Sequence, residues 1–247
     1  MNDITKWFNL QSKLFQDNAS VIDNRKGNKQ ILRIDEVAPS KFVPRMPLSS
    51  MSGEDITTPR VCVSLSLLEC LAGIGRLMED VLSFNSYKID NPFIGGYVIS
   101  RLEADYLIKP NKNLVPDADI TNEHWLVGFD KDHLEYKPQK LGELFCTDIR
   151  IAPSSNKGIR DGVVTLKFAV RINQNVDKIH LTSEEVCDLD YFTFCFSFNY
   201  NDPIKHNEIV NIVELTKEEY DRLKNRVAGL LSFDLTPKKE IPPSLKW

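Results

Sequence analysis

The sequence predicts an α+β protein: a mixed or antiparallel sheet core with few helices, closed by a β-rich C-terminal extension that ends in a helix. Three observations carry this expectation. Short runs rich in β-branched and aromatic residues recur along the chain and alternate with period two. Only a few stretches carry helical spacing. Turn-rich segments with Pro, Gly, Ser and Asn separate the runs.

Taken in order, Trp7, Phe8, Leu10, Leu14 and Phe15 have roughly helical spacing, so residues 1–28 read as an arm with one short amphipathic helix. The polar "ASVIDNRKGNKQ" then reads as a loop and "ILRID" (31–35) as a strand. "APSKFVPRMP" (38–47) holds three prolines, which excludes a helix or a central strand. "RVCVS" (60–64) is a strand. In the helix after it, Leu67, Leu71, Ile74, Met78 and Val81 recur at steps of 4, 3, 4 and 3 on one face. Strands are expected at 95–100, 105–108, 122–129 and 141–151, the third entered from a polar turn, "VPDADIT".

The turn-rich "PSSNKGIRDG" (153–162) is the best internal boundary and separates 29–152 from 160–247, although strand-rich halves of this kind also merge into one sheet. Beyond it, 163–172, 191–200 and 208–215 read as strands. Phenylalanines 192, 194, 196 and 198 alternate with small or polar residues, so one face buries aromatic rings. Thr216 and Glu219 form a capping box for a helix over 215–231 that lines Tyr220, Leu223, Val227 and Leu230 on one face. The Pro- and Lys-rich tail reads as extended.

Composition bounds the function. At 247 residues, 42% hydrophobic and 27% charged, the chain supports a sizeable core. A net charge of −4 argues against nucleic acid as the main partner. Five cysteines without a CxxC pair fit buried thiols in a reducing compartment. No secretory signal is visible, and no run reaches the roughly 18–20 apolar residues of a membrane span. The expected location is therefore cytoplasmic. His124, His133, His180 and His206 have no ligand spacing, so no metal site is expected. Phosphate-loop patterns and the GxSxG elbow are missing as well.

Two places remain for chemistry. Ser66 precedes the helix and Glu69 follows three residues later, which is a helix-capping box. Ser64, at the strand end, is not explained by the cap and is open to a polar or anionic ligand. Glu123 stands at the entry of an apolar strand beside Trp125. From position alone it reads as an exposed loop acid; burial would instead raise its pKa and suit it to proton or cation chemistry.

The run "ILRID…FVPRMP…GEDITTPRVCVSLSLLECLAGI…YVISRLE…VPDADITNEHWLV…KLGEL" resembles a family of small proteins found largely in phages and mobile elements. The resemblance covers roughly residues 30–150 and is most specific at Thr58-Pro59-Arg60-Val61-Cys62, Ser64, Ser66, Cys70-Leu71, Val115-Pro116-Asp117, Thr121 and Glu123. With the acidic surface, it implies a non-catalytic accessory protein that binds a host protein. The order of parts also resembles the ADP-ribosyltransferase fold. That resemblance implies an NAD-using enzyme, or an inactive NAD-binding relative, with Arg33, Ser64 and Glu123 as catalytic residues. Arg33, Ser64, Ser66 and Thr121 would contact NAD, and Glu123 would hold a ribose hydroxyl in the transition state. Thr121 stands two before Glu123, where arginine-directed enzymes carry Glu or Gln. Arg45 and Arg60 have an equally good structural role, pairing with Glu54 or Asp55.

Overall fold

Antiparallel sheets carry the chain in the computed structural model, which describes residues 3–47, 52–73, 96–154, 158–173, 178–199 and 208–234. A four-stranded sheet has the order β1-β5-β6-β3, formed by β1 (Ala19–Asp23), β5 (Tyr106–Pro110), β6 (His124–Leu126) and β3 (Val61–Val63). A six-stranded sheet has the order β12-β11-β8-β7-β4-β2. Its strands are β2 (Ile31–Asp35), β4 (Gly96–Leu102), β7 (Gln139–Ser154), β8 (Gly158–Ile172), β11 (Tyr191–Asn199) and β12 (Glu208–Glu214). A short ribbon pairs β9 (Ile179–His180) with β10 (Val186–Cys187). Among the described residues the helices are α1 (Asp3–Asn9), α2 (Lys13–Asn18), α3 (Leu67–Ala72), α4 (Ala118–Thr121) and α5 (Lys217–Asp234). The molecule is α+β, and every strand pairing among the described residues is antiparallel.

The N-terminal segment departs from its expected form. It holds two helices, because Leu10 is 84% exposed and Ser12 caps a new start, its Oγ accepting from the Phe15 N–H at 3.2 Å. Ile4 and Phe15 are buried and pack with Trp125 and Ile108 on one face of the four-stranded sheet. The expected loop after them begins with a strand, β1, which pairs with β5 through Val21↔Ile108. Its sequence holds only Val21 and Ile22 as β-formers, so the pairing comes from the neighbouring strand rather than from local propensity. The polar turn "VPDADIT" closes into the single helical turn α4, which ends on Asn122 in the left-handed region (φ 42°).

The six-stranded sheet continues through the expected boundary. β7 and β8 form one long hairpin, still paired at Ser154↔Gly158. A hairpin tip and an interdomain linker have the same turn-rich composition, so sequence alone does not separate them.

The main core lies against one face of this sheet. Phe192, Phe194, Phe196 and Phe198 are fully buried there with Phe168, Leu67 and Leu71 of α3, and Ile179 and Leu181 from the β9 region. On the opposite face α5 sets Tyr220 and Val227 against Phe145 and Ala169. Ile74, Met78 and Val81, expected to continue the α3 face, lie outside the described residues. The five cysteines are free, and Cys70, Cys146 and Cys187 are buried. Among the described residues no helix is long and apolar enough to cross a membrane.

The two sheets meet along β2 and β3. Leu32 and Ser64 exchange two backbone hydrogen bonds, at 2.7 and 3.0 Å. Ile31 and Leu102 of the larger sheet pack there with Val61, Val63, Leu107 and Leu126 of the smaller one. The proline-containing segment runs extended beside β3, bridged at Arg45↔Arg60. This seam carries the residues that the sequence singles out.

Candidate functional site at the sheet seam

β3 and β6 pair antiparallel with Cys62 opposite Trp125, so Cys62 and Trp125 share a face. Arg60 and Glu123 each precede one of them by two residues and extend along that face. The Arg60 side chain is only 1% exposed. Its guanidinium lies 4.2 Å from the centre of the Trp125 ring, a cation–π contact. It donates to Glu54 Oε1 at 2.5 Å, to the Asp55 carbonyl at 2.7 Å and to the Thr58 carbonyl at 3.3 Å. Asp55 Oδ2 lies at 3.8 Å and Glu123 Oε1 at 3.9 Å. The structural pairing expected of Arg60 is thus present.

Glu123 is not the exposed loop acid that its position suggests. Its side chain is 18% exposed and accepts from Trp125 Nε1 at 2.5 Å and from the Cys62 thiol. Burial pushes its pKa above the usual carboxylate value, opposed by the Cys62 and Trp125 hydrogen bonds and the Arg60 charge. Burial, aided by the Glu123 charge, pushes the Cys62 thiol up to about 12. Cys62 is therefore a neutral hydrogen-bond donor here.

Arg33, on β2, faces the same strand from the other side. Its Nε donates to both Asp35 carboxylate oxygens, at 3.0 and 3.1 Å. One terminal nitrogen donates to the Cys62 carbonyl at 2.7 Å, and the guanidinium sits 5.0 Å from the Phe42 ring centre. Ser64 is buried, and its hydroxyl hydrogen-bonds with the Cys70 thiol. Burial pushes that thiol up to about 12.

Ser66 is fully buried and caps α3, accepting from the Glu69 N–H at 3.3 Å. The return arm is displaced by one residue: Glu69 Oε2 accepts from the Leu65 N–H at 2.9 Å. Its other oxygen accepts from Asn122 Nδ2 at 2.6 Å, which ties α3 to the left-handed residue after α4. Thr121 is buried inside α4 and donates to the Asp117 carbonyl at 3.2 Å. His124 Nδ1 lies 2.7 Å from the Asn122 carbonyl, and burial beside Lys109 lowers its pKa to about 4, so the ring is neutral at pH 7.

The seam therefore brings Arg33 and Glu123 to one residue, Cys62, at its carbonyl and its thiol respectively. Ser64 stands two positions further along. Among the described residues no hydrogen bond or ion pair joins any two of Arg33, Ser64 and Glu123; each is closed by partners of its own. Ser66 and Thr121 are engaged in helix capping and helix structure. No group of three or more His, Cys, Asp or Glu among the described residues is placed to hold a metal.

Among the described residues, grooves open elsewhere that are not lined by those five residues. One, of about 350 Å³, lies between Arg150, Lys167 and Asn211, on the face of the larger sheet that α5 also packs against. Another, of about 680 Å³, lies between Arg101–Asp105 and Asp132–Gln139 and includes His133. Sequence reasoning gave Arg60 its pairing with Glu54 or Asp55 but did not bring Glu123 and Trp125 to the same guanidinium. The parallel two-residue offsets Arg60/Cys62 and Glu123/Trp125 are the signal that could have done so. It also missed His133, whose only local signal is Asp130 three residues before it. Comparison with known proteins finds no matching family model, no matching curated protein and no matching solved structure.

Proposed function

We propose that the protein is a non-catalytic accessory protein, of the phage and mobile-element kind its motifs resemble, and that it acts by binding a host protein. The observation that carries this reading is the closure of Arg33, Ser64 and Glu123 by internal partners. Arg33 is engaged by Asp35 and, across the two sheets, by the Cys62 carbonyl; Glu123 is engaged within the smaller sheet by Trp125 and Cys62, and Ser64 by the Cys70 thiol of α3. Affinity capture from host extract, followed by reconstitution with the purified candidate, tests it. A stoichiometric complex without NAD turnover is expected; failure of every candidate to form one contradicts it.

A second reading, an ADP-ribosyltransferase-like enzyme or an inactive NAD-binding relative, draws on one observation. Arg33 and Glu123 both reach Cys62, and the Glu123 pKa is raised. Label transfer from NAD that disappears in Glu123→Gln would favour this reading over the first.

A further inference from the structure

The 680 Å³ groove lies where strands of the two sheets diverge: Arg101–Asp105 leads from β4 into β5, and Asp132–Gln139 leads from β6 into β7. Its volume is that of a ligand site. One wall carries the His133 ring, which several contacts hold in place. Its Nδ1 lies 2.7 Å from Asp130 Oδ1. Its face stacks on Phe129, with centroids 4.0 Å apart and planes inclined by 24°. The Tyr136 ring stands 6.4 Å away.

Asp130 fixes the tautomer. Its Oδ1 also accepts the backbone N–H groups of Asp132 at 2.8 Å and His133 at 3.0 Å. The hydrogen bonds from His133 and the Asp132 N–H hold this carboxyl below its usual range against some desolvation, so it is ionised and only accepts. Nδ1 is then the donor, and in the neutral form of the ring the lone pair is on Nε2. That nitrogen is the ring's remaining hydrogen-bonding atom, in a side chain that lines the groove.

The groups around it set the ligand's charge. Arg101, Glu103 and Asp105 come from one side, and Asp132, Glu135 and Lys137 from the other. Lys41, from the proline-containing segment, is paired with Glu135 at 2.6 Å. With Lys41 on Glu135, four carboxylates stand against three cations, a surplus of one negative charge that favours a cation.

We propose that this groove receives an arginine side chain of the protein partner, with His133 Nε2 accepting one guanidinium N–H and the carboxylates completing the charge match. An acceptor lone pair, aromatic surface and surplus negative charge together suit a flat cation with several N–H donors better than an ammonium. The inference rests on the protein-binding reading for the source of the arginine, while the groove itself is testable without the partner.

The probe is a short peptide, acetyl-Gly-Arg-Gly-amide, titrated by NMR at low salt beside its citrulline counterpart. The arginine peptide is expected to bind at least about tenfold more tightly. Asp130→Ala and Asp132→Ala each remove one negative charge. Only the first removes the oxygen that accepts from Nδ1 and so releases the ring proton to Nε2, and it is expected to weaken binding several-fold more than the second. His133→Phe, which keeps the stack on Phe129 and removes the acceptor, is expected to lose at least as much as Asp130→Ala. Equal affinity for arginine and citrulline peptides, or equal losses in His133→Phe and Asp132→Ala, overturns the proposal. The two levels separate cleanly. Peptide binding without capture of any host protein defeats the partner reading alone, and undiminished host capture by His133→Phe defeats the groove alone.

Discussion

Arg60 shows how a buried charge is made tolerable. A guanidinium shielded from water is costly unless it is paired and hydrogen-bonded, and here two carbonyls, the Glu54 carboxylate and the Trp125 ring meet it. Removing it leaves Glu54, Asp55 and Glu123 facing one another without a cation. Arg60→Met is therefore expected to lose about 3–5 kcal/mol in urea denaturation. Glu123 gives a pH signature. Its folded pKa lies above its unfolded value of 4.5, so the folded state holds the proton more tightly than the unfolded state. Its contribution is best at low pH and declines as pH rises from about that value through the folded pKa. Urea titrations at pH 4 and pH 7 should show Glu123→Gln gaining on the wild type at the higher pH. The Ser66 cap was legible in sequence because capping is local. The burial of Glu123 was not, because it depends on β3, some sixty residues away, pairing with β6 in the register that sets Cys62 against Trp125.

At the scale of elements, the strands with strong alternation were legible. "ILRID" matches β2 at both ends, and the phenylalanine run matches β11 to within a residue. β1 and the split of α1 from α2 were not, since one needs its partner strand and the other turns on the Ser12 cap. Phe196, fully buried in the middle of β11, is expected to cost about 3–5 kcal/mol as Phe196→Ala. Gly142 sits on β7 where β8 comes close. A Cβ there would stand 2.1 Å from the Arg171 carbonyl oxygen, so a backbone must move. Gly142→Ala is expected to cost about 1–3 kcal/mol, and no spacing rule in the sequence marks that glycine as special. Both variants are checked by chemical denaturation, with circular dichroism to confirm the fold.

At the scale of the molecule, two antiparallel sheets share a seam, and the N-terminal helices close the outer face of the smaller one over Trp125. The α+β class followed from the count and spacing of strands; the seam did not, because it joins β2 to β3 through a single bridge, Leu32↔Ser64, that no local pattern announces. That bridge gives Arg33 its meaning. On the sequence alone its place on the first core strand made it a candidate for NAD, whereas across the seam it ties Asp35, Phe42 and the Cys62 carbonyl. The most direct test of this account is Arg33→Met, assayed together for stability, NAD turnover and host-protein capture. The account predicts a loss of about 1.5–3 kcal/mol in stability, as for hydrogen bonds to a charged group, with no NAD turnover in either protein and capture of the host protein preserved. Unchanged stability with loss of a wild-type NAD-consuming activity would contradict it.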